Sequence, residues 1–432
     1  MAYKRSFYQV NQEIAPNIYL CSNTRTNCHL LMDGSIFNQY QKDNLLFISK
    51  EHPNLFSRLI KGGFVIDSSR NELEEILADF NEERCSSEMY HLIINPTLDC
   101  NLSCWYCYEN KKRNSSMPNS IIDGVCKNIE KQYNEAQFKI LKISFFGGEP
   151  FMKKNVIKQI VSFAEKFCSS KNISLLLDFT TNGTLCSKEM ISFLSNYRCL
   201  FQITLDGNRE KHNKIKYTSN KYFDAYTTTC NNIKEIQNRI PHSFVAIRIN
   251  FDSETLQYFD DILHFLLPLD RTRTKVILKK VWQINSSSVS HTEIHDVMEK
   301  LFENHFVVDY YSQGGICFAD KKNEAVINYD GQVFKCTTIG EFNSNNSLGI
   351  LDASSGHIAW KRNGMLSEKQ PKSPERCLLC KLYPSCGGPC KKKCSNLQDW
   401  DCFLNNIDSN VEEYLLTQFK IEYIKDIVYG LN

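Results

Sequence analysis

Asn95 to Asn110 read NPTLDCNLSCWYCYEN, and the interpretation of the whole chain starts from this stretch. Its three cysteines, Cys100, Cys104 and Cys107, have a Cys-x3-Cys-x2-Cys spacing that a tight loop can fold around one metal cluster. A [4Fe-4S] cluster is usually held by four cysteine thiolates, so three thiolates leave one iron open to a small molecule. Zinc is the competing interpretation, because zinc also takes closely spaced thiolate ligands.

Length and composition narrow the class of protein. The chain has 432 residues, enough for two or three domains with separate cores. Its net charge is +2 and 23% of its residues are charged. The chain therefore has no strong electrostatic field that would attract a nucleic acid or a membrane surface. Neither a signal peptide nor an apolar run of about 18 residues is present. We therefore expect a cytoplasmic protein with no membrane or nucleic-acid partner, in which metal ligation explains the nineteen cysteines better than disulfides.

Strand-like and helix-like segments alternate from His91 to about Trp282. The clearest helix, Asn155 to Cys168, has its apolar residues on one stripe. Parallel neighbours need a crossover, so this alternation predicts a parallel sheet covered by helices, with a ligand at the carboxyl ends of the strands. The predicted strands are Leu92 to Asn95, Leu141 to Phe146, Leu175 to Thr180, Phe201 to Leu205, Phe244 to Phe251 and Val276 to Val281.

Three glycine-containing motifs fall at the ends of successive predicted strands. They are FFGGEP at Phe145 to Pro150, TTNG at Thr180 to Gly183, and TLDG at Thr204 to Gly207. Adjacent glycines let the backbone approach a ligand closely, and the carboxylate of Glu149 can accept a hydrogen bond from an ammonium group. In this order behind a cysteine loop, the three motifs form a specific pattern.

The pattern resembles the radical S-adenosylmethionine (SAM) enzymes, with Tyr106 as the aromatic residue of their Cys-x3-Cys-x-aromatic-Cys signature. The resemblance implies an α/β fold in which the strands close into a partial (β/α)6 barrel. In that family the amine and carboxylate of SAM chelate the free iron. An electron from the cluster then breaks a carbon–sulfur bond of SAM to give a 5'-deoxyadenosyl radical.

The same resemblance assigns the contacts to SAM. The GGEP motif would bind the amino group, and the other two motifs would bind the ribose and the carboxylate. Twelve residues beyond Thr204, related sequences often have an arginine, but this chain has Lys216. A lysine ammonium is a point charge and cannot make the two parallel hydrogen bonds that an arginine guanidinium makes to a carboxylate. Arg248 is the alternative partner of the carboxylate. The implied cofactor contacts are Tyr106, Gly147, Gly148, Glu149, Pro150, Asn182, Thr204, Lys216 and Arg248.

A second group of cysteines begins at Cys317, and its spacing resembles the seven-cysteine SPASM motif, which holds two auxiliary [4Fe-4S] clusters. A turn at Tyr329 to Gly331 predicts a hairpin that brings Cys317 and Cys336 together. Cys394 is an alternative last ligand or a fourth ligand of the first auxiliary cluster, and a zinc ribbon is the alternative for the Cys-x2-Cys pair. By resemblance, the first auxiliary cluster uses Cys317, Cys336 and Cys390, and the second uses Cys377, Cys380, Cys386 and Cys402.

Three domains are expected from these motifs. Residues 1–90 resemble the winged-helix recognition domain of peptide-modifying radical SAM enzymes, which would take a leader peptide as an extra strand. A capping subdomain without a ligand is the alternative for this segment. Residues 91–290 would form the barrel, and residues 291–432 the SPASM domain, ending in a helix from Asn410 to Leu431.

The resemblance implies a radical SAM/SPASM peptide maturase, related to sactisynthases and to anaerobic sulfatase-maturing enzymes. It would use SAM, three [4Fe-4S] clusters and an electron donor such as a flavodoxin or ferredoxin. It would install a thioether or a carbon–carbon cross-link in a ribosomally made precursor peptide with a leader. Formylglycine formation is one alternative, although Thr337 and Thr338 follow Cys336 where those relatives place an acidic base. A non-catalytic peptide-binding scaffold is another, but it has no use for a free iron.

Overall fold

The computed structural model describes residues 2–220, 222–281, 289–310, 315–361, 373–390, 402–407 and 409–430. The chain divides into two compact units, each built from several segments. The first consists of Met1–Cys85, Tyr311–Cys317 and Gln370–Tyr423, and the second of Ser86–Tyr310, Phe318–Lys369 and Ile424–Asn432. No helix in the described ranges combines the length and apolar character needed to cross a membrane.

The first unit begins with five strands and four helices. Strands β2, β3 and β4 below form an antiparallel sheet in that order, and β1 pairs with β5. Asp33 begins the first helix because its side chain accepts a hydrogen bond from the backbone N–H of Ser35. The elements are β1 (Tyr3–Arg5), β2 (Gln9–Ala15), β3 (Ile18–Asn23), β4 (Cys28–Asp33), α1 (Gly34–Gln41), α2 (Leu45–Glu51), α3 (Pro53–Lys61), β5 (Val65–Asp67) and α4 (Glu72–Cys85).

The second unit is built on one sheet in which parallel strands alternate with helices. Its alternating elements are β6 (Met89–Asn95), α5 (Asn119–Ala136), β7 (Ile140–Phe145), α6 (Lys154–Lys171), β8 (Ser174–Thr181), α7 (Lys188–Leu194), β9 (Cys199–Thr204), α8 (Arg209–Ile215), α9 (Ala225–Arg239), β10 (Ser243–Phe251), α10 (Ser253–Gln257), α11 (Phe259–Leu266), β11 (Thr274–Lys280), α12 (His291–Glu303) and β12 (Val307–Asp309). The strands that follow are β13 (Glu324–Asn328), β14 (Gln332–Phe334), β15 (Gly349–Leu351) and β16 (Ile358–Trp360). Short 3₁₀ helices lie at Pro150–Lys153, Arg271–Arg273 and Phe318–Asp320.

The eleven described strands of this sheet lie in the order β12-β11-β10-β9-β8-β7-β6-β13-β14-β15-β16. Strands β6 to β13 pair in parallel, and β14 to β16 continue as an antiparallel meander. Phe145, Phe179 and Phe201 occupy equivalent positions on neighbouring strands, and their rings stack with centroids 5.4 and 5.2 Å apart. In-register packing of large buried side chains thus holds the centre of the sheet.

The structure confirms the predicted α/β fold with its parallel sheet. All six predicted strands are present as β6 to β11, the predicted helix at Asn155 to Cys168 lies within α6, and β13 and β14 form the predicted hairpin. Gly331 occupies a turn position with φ of 82°, which glycine adopts without steric cost. The sequence did not predict that β13 would extend the parallel sheet next to β6.

Residues from both ends of the chain share a core in the first unit. Tyr8, Ile76, Phe80, Cys377 and Tyr383 belong to one buried apolar cluster. The later helices of this part of the chain are α13 (Glu375–Leu378), α14 (Tyr383–Cys386), α15 (Phe403–Asn406) and α16 (Val411–Tyr429), the last being the predicted terminal helix. The front segment and part of the cysteine-rich segment thus bury apolar side chains together. The domain ranges 1–90, 91–290 and 291–432 stay predictions.

Candidate active site

A cavity of about 170 Å³ lies at the carboxyl ends of the parallel strands of the second unit. We call it the three-cysteine cavity, because Cys100, Cys104 and Cys107 from the loop after β6 all line it. Residues from the ends of β7, β8, β9, β10 and β11 complete its walls. Parallel strands bring their carboxyl ends to one edge of a sheet, which is why motifs far apart in sequence meet here.

Most of the predicted site residues line the three-cysteine cavity. Glu149 and Pro150 are buried and are not among the lining residues. Gly147 and Gly148 have φ of 76° and 43°, so they form a left-handed turn against the backbone and side chains of residues 95–99. The predicted residues on the cavity wall are Cys100, Cys104, Tyr106, Cys107, Gly147, Gly148, Asn182, Thr204, Lys216 and Arg248.

The Glu149 carboxylate joins two strand ends. It accepts hydrogen bonds from Thr181 Oγ1 at 2.8 and 2.9 Å, from the backbone N–H of Asn182 at 2.8 Å, and from that of Phe151 at 3.0 Å. Burial raises the pKa of Glu149, while these hydrogen bonds act in the opposite direction. The protein itself thus uses the acceptor capacity of Glu149, and a contact from Glu149 to a ligand ammonium stays a prediction.

The chemistry of the cysteine loop fits a metal cluster. The backbone N–H of Cys107 donates to the carbonyl of Cys104 at 3.2 Å, and the amide of Asn182 lies 3.9 Å from Cys100 Sγ. Burial raises the pKa of Cys100 to about 12 and also raises the pKa of Cys107, so the thiolates need a cation beside them. In the described ranges, no three His, Cys, Asp or Glu side chains are gathered as a site for one metal ion. In a cubane [4Fe-4S] cluster each thiolate binds a different iron, so the ligand sulfur atoms lie farther apart than the ligands of a single metal ion.

A buried ion pair lies at the cavity wall. Lys216 Nζ is 2.9 Å from Asp206 Oδ2, and the Asp206 side chain is fully buried. Although burial acts to lower it, the Asp206 carboxylate raises the pKa of Lys216 well above its ordinary value. The hydroxyl of Tyr106 donates to Asp206 and accepts from Lys216 at 3.0 Å, and Asn250 Nδ2 donates to Asp206 Oδ1 at 2.9 Å. The charge of Lys216 is therefore neutralised inside the protein.

Arg248 is placed differently from Lys216. It lines the three-cysteine cavity, and its Nε donates to Asn250 Oδ1 at 3.0 Å. The described part of the chain contains no ion pair of Arg248. Of the two cations that the sequence offered for a ligand carboxylate, Arg248 is thus the one whose charge is not already neutralised by an acid of the described chain.

Glu109 is a cavity residue that the sequence analysis missed. It lines the three-cysteine cavity, and its Oε2 accepts the backbone N–H of Gly148 at 2.8 Å. Burial raises the pKa of Glu109 to about 7, against the effect of this hydrogen bond. Its position two residues after Cys107 was the available signal, but its partner Gly148 is 39 residues away.

A second cavity, of about 120 Å³, lies within the first unit and is called here the four-cysteine cavity. Cys377, Cys380, Cys386 and Cys402 all line it, as do Leu382, Tyr383 and Phe403. Burial, together with a smaller contribution from the other three thiols, raises the pKa of Cys377 to about 12. The four predicted ligands of the second auxiliary cluster are thus neighbours.

The remaining predicted ligands are divided between the two units. Cys317 and Cys390 belong to the first unit, and Cys336 belongs to the second. Cys394, the alternative ligand, lies outside the described residues. The grouping of Cys317, Cys336 and Cys390 stays a prediction.

Comparisons with known proteins show what this chain is similar to. Residues 94–266 match the sequence profile of the radical SAM superfamily. The radical SAM cyclopropyl synthase TigE of Paramaledivibacter caminithermalis is 23% identical, over 90% of this chain and 86% of that protein. A cysteine-type anaerobic sulfatase-maturating enzyme of Clostridium novyi is 24% identical, over 70% of this chain and 87% of that enzyme. The solved structure of native anSMEcpe with bound AdoMet and Cp18Cys peptide has a TM-score of 0.59 at 17% identity, covering 80% of this chain and 100% of that one.

Proposed function

This chain carries a radical SAM domain, and from that premise we propose that it modifies a ribosomally made precursor peptide. The observation that carries the proposal is the three-cysteine cavity, where an incomplete set of cluster ligands opens onto charged and polar side chains. A fourth cysteine would close the cluster, whereas three leave an iron for a ligand. The cavity offers that ligand both a carboxylate, Glu109, and a guanidinium, Arg248.

The residues of this chain would hold the reactive groups in place. When bound, the cluster and SAM supply an electron and a 5'-deoxyadenosyl radical that abstracts a hydrogen atom from an unactivated carbon. Cys100, Cys104 and Cys107 would hold the cluster. Arg248 would bind the SAM carboxylate through its guanidinium. The carboxylate of Glu149 would fix the loops on which these contacts depend.

Two auxiliary clusters complete the proposal. Cys377, Cys380, Cys386 and Cys402 would hold one of them, at the four-cysteine cavity. Cys317, Cys336 and Cys390 would hold the other. These clusters would accept the second electron from the product radical, or one of them would bind a substrate thiolate at an iron that lacks a fourth cysteine. A flavodoxin or ferredoxin would supply electrons to the chain.

A groove in the first unit suits an extended leader peptide. It has a volume of about 980 Å³ and is lined by β1, the start of β2, and α2. Tyr3, Phe7 and Leu46 expose apolar surface there, and Lys4 and Lys381 add positive charge. Because β2 is an edge strand of the described sheet, a peptide could pair with its main chain while its side chains enter the groove.

The relatives bear on which bond is made. A cyclopropyl synthase such as TigE forms carbon–carbon bonds, so this relative favours a carbon–carbon product over a thioether. The sulfatase-maturating relatives support formylglycine formation as the second candidate. The sequence after Cys336 counts against that second candidate, because it has Thr337 and Thr338 where an acidic base is expected.

The test is co-expression with the short reading frames encoded beside this chain, followed by mass spectrometry of the peptides. A peptide that loses two hydrogens would support cross-linking. A Cys or Ser converted to an aldehyde would support the sulfatase-type reaction instead. An unchanged peptide, together with no 5'-deoxyadenosine from the reduced and cluster-loaded protein, would contradict the proposed function.

A further inference from the structure

The parallel sheet of the second unit has one largely apolar face and one polar face. Side chains alternate between the two faces along a strand, and residues paired in register on neighbouring parallel strands share a face. Phe145, Phe179 and Phe201 lie on the apolar face and are buried. The other face, called here the polar face, contains the register pairs Ser144 with Asp178, Thr204 with Arg248, Asn250 with Lys279, and Ile277 with Asp309. Its lysine, arginine and aspartate residues in β6 to β12 are Lys142, Asp178, Arg248, Lys275, Lys279 and Asp309.

The polar face carries more positive than negative charge. Two of its lysines each lie close to an aspartate of the neighbouring strand, so those four charges cancel in pairs. The Nζ–Oδ2 distances are 2.9 Å between Lys142 and Asp178 and 3.2 Å between Lys275 and Asp309. Arg248 and Lys279 have no ion pair within the described ranges. Two cations on adjacent strands are therefore not neutralised by an acid of the described chain.

Lys279 lies next to the three-cysteine cavity without forming part of its wall. It is paired in register with Asn250, which lines the cavity, as Arg248 does. Burial lowers the pKa of Lys279; Asp309 opposes this effect, and Arg248 and Lys275 add to it. A cation in such a position is stabilised when an anionic group docks beside it.

We propose that Lys279 binds a carboxylate of the substrate peptide, close to the carbon that loses its hydrogen atom. This inference rests on the proposed function, because it takes a peptide to be the substrate. The carboxylates of a peptide at neutral pH are its Asp and Glu side chains and its C-terminus. Arg248 is on the cavity wall and is assigned to SAM, so Lys279 is left for the substrate. A carboxylate held on the strand next to Arg248 places the peptide beside SAM, as hydrogen abstraction requires.

The experiment measures kcat/KM for the peptide that co-expression identifies as the substrate. In synthetic copies of this peptide each Asp or Glu is changed in turn to its amide, and one further copy has an amidated C-terminus. We expect Lys279→Met, which removes the charge at similar side-chain length, to lower kcat/KM for the unchanged peptide by about tenfold to a hundredfold, the usual contribution of a hydrogen bond to a charged group. One of the amide copies should show a similar loss with the wild type.

That copy should show no further loss with Lys279→Met, because the interaction is already absent. Its identity tells whether a side chain or the C-terminus is bound. Lys166→Met on the exposed face of α6 is the matched control and should modify every copy like the wild type. The iron content and the SAM affinity of Lys279→Met should also equal those of the wild type.

Three results would overturn the inference alone: full modification of the unchanged peptide by Lys279→Met, additive losses for every copy, or a loss of SAM affinity, which would assign this cation to SAM. A wild type that modifies no peptide would overturn the proposed function and the inference with it. If Lys279→Met does not load its clusters, the wild type decides with the same copies. A large loss for one copy then supports the inference, and an equal kcat/KM for all copies overturns it.

Discussion

The molecule has two cysteine-lined cavities, and their differences suit two separate tasks, the binding of a ligand and the transfer of electrons. The three-cysteine cavity contains three of the proposed cluster ligands, and its walls carry Glu109, Lys216 and Arg248. The four-cysteine cavity contains four proposed ligands, and its walls are largely apolar, with Leu382 and Phe403 among them. Charged groups beside an open iron suit a ligand that binds and leaves. A full set of thiolates in apolar surroundings suits a cluster that only transfers electrons.

Removing a thiol from the three-cysteine cavity is expected to have the largest effect. Cys104→Ala leaves two protein ligands for that cluster, so about four irons per chain should be lost. Formation of 5'-deoxyadenosine from SAM under reducing conditions should fall to the background of the protein-free assay. Iron analysis and chromatography of the nucleoside products measure both effects. Sustained production of 5'-deoxyadenosine by this variant would contradict the assignment.

Removing a thiol from the four-cysteine cavity should separate the two tasks. Cys380→Ala should also lose about four irons per chain, because a complete set becomes incomplete. Some SAM cleavage should survive, since the three-cysteine cavity lies in the other unit, while modified peptide should not form. Cys380 is chosen because it is less buried than Cys377, which packs in the core of the first unit. The same assays apply, with mass spectrometry of the peptide, and full peptide modification by Cys380→Ala would refute the division of roles.

The buried ion pair of the three-cysteine cavity should contribute more to stability than a surface pair in the first unit. Asp206→Asn leaves the Lys216 ammonium buried without its partner, which should lower the free energy of unfolding by about 3–5 kcal/mol. Asp43→Asn removes the partner of Arg5. Because the Asp43 side chain is 64% exposed, this change should lower the free energy of unfolding by less than about 1 kcal/mol. Urea unfolding of the two variants measures the difference. Equal losses would show that the network around Lys216 does not hold the cavity wall.

A smaller, pH-dependent effect is expected at His212, whose Nδ1 accepts the backbone N–H of Asp206 at 3.1 Å. Burial lowers the pKa of His212 from 6.5 to about 3, with Asp206 opposing and Lys216 adding to this effect. The unfolded chain therefore binds a proton below pH 6.5 that the folded chain does not, and stability falls with pH from there down to about 3. Between pH 8 and pH 5 the wild type should lose about 2 kcal/mol more than His212→Gln. Parallel stability curves for the two proteins would contradict a neutral, buried His212.

The sequence predicted those features that depend on local patterns. The strands β6 to β11 are short buried runs between helices, and the cysteine spacings and glycine turns are local too. The pairing of Glu324–Asn328 with residues 91–95 of β6 has no local signal, because it joins segments more than 200 residues apart. The shared core of Tyr8 and Cys377 was missed for the same reason. Glu109 and Asp206 were each next to or inside a recognised motif, but their roles follow from contacts with Gly148 and Lys216 that only folding creates.

The central claim is that the three cysteines leave one iron open for SAM. Electron paramagnetic resonance of the anaerobically purified, reduced protein, recorded with and without SAM, tests it most directly. The account predicts iron and sulfide in the protein and a SAM-dependent change in the signal of one cluster, which is absent from Cys104→Ala and present in Cys380→Ala. Zinc in place of iron and sulfide, or a set of cluster signals that SAM leaves unchanged, would contradict it.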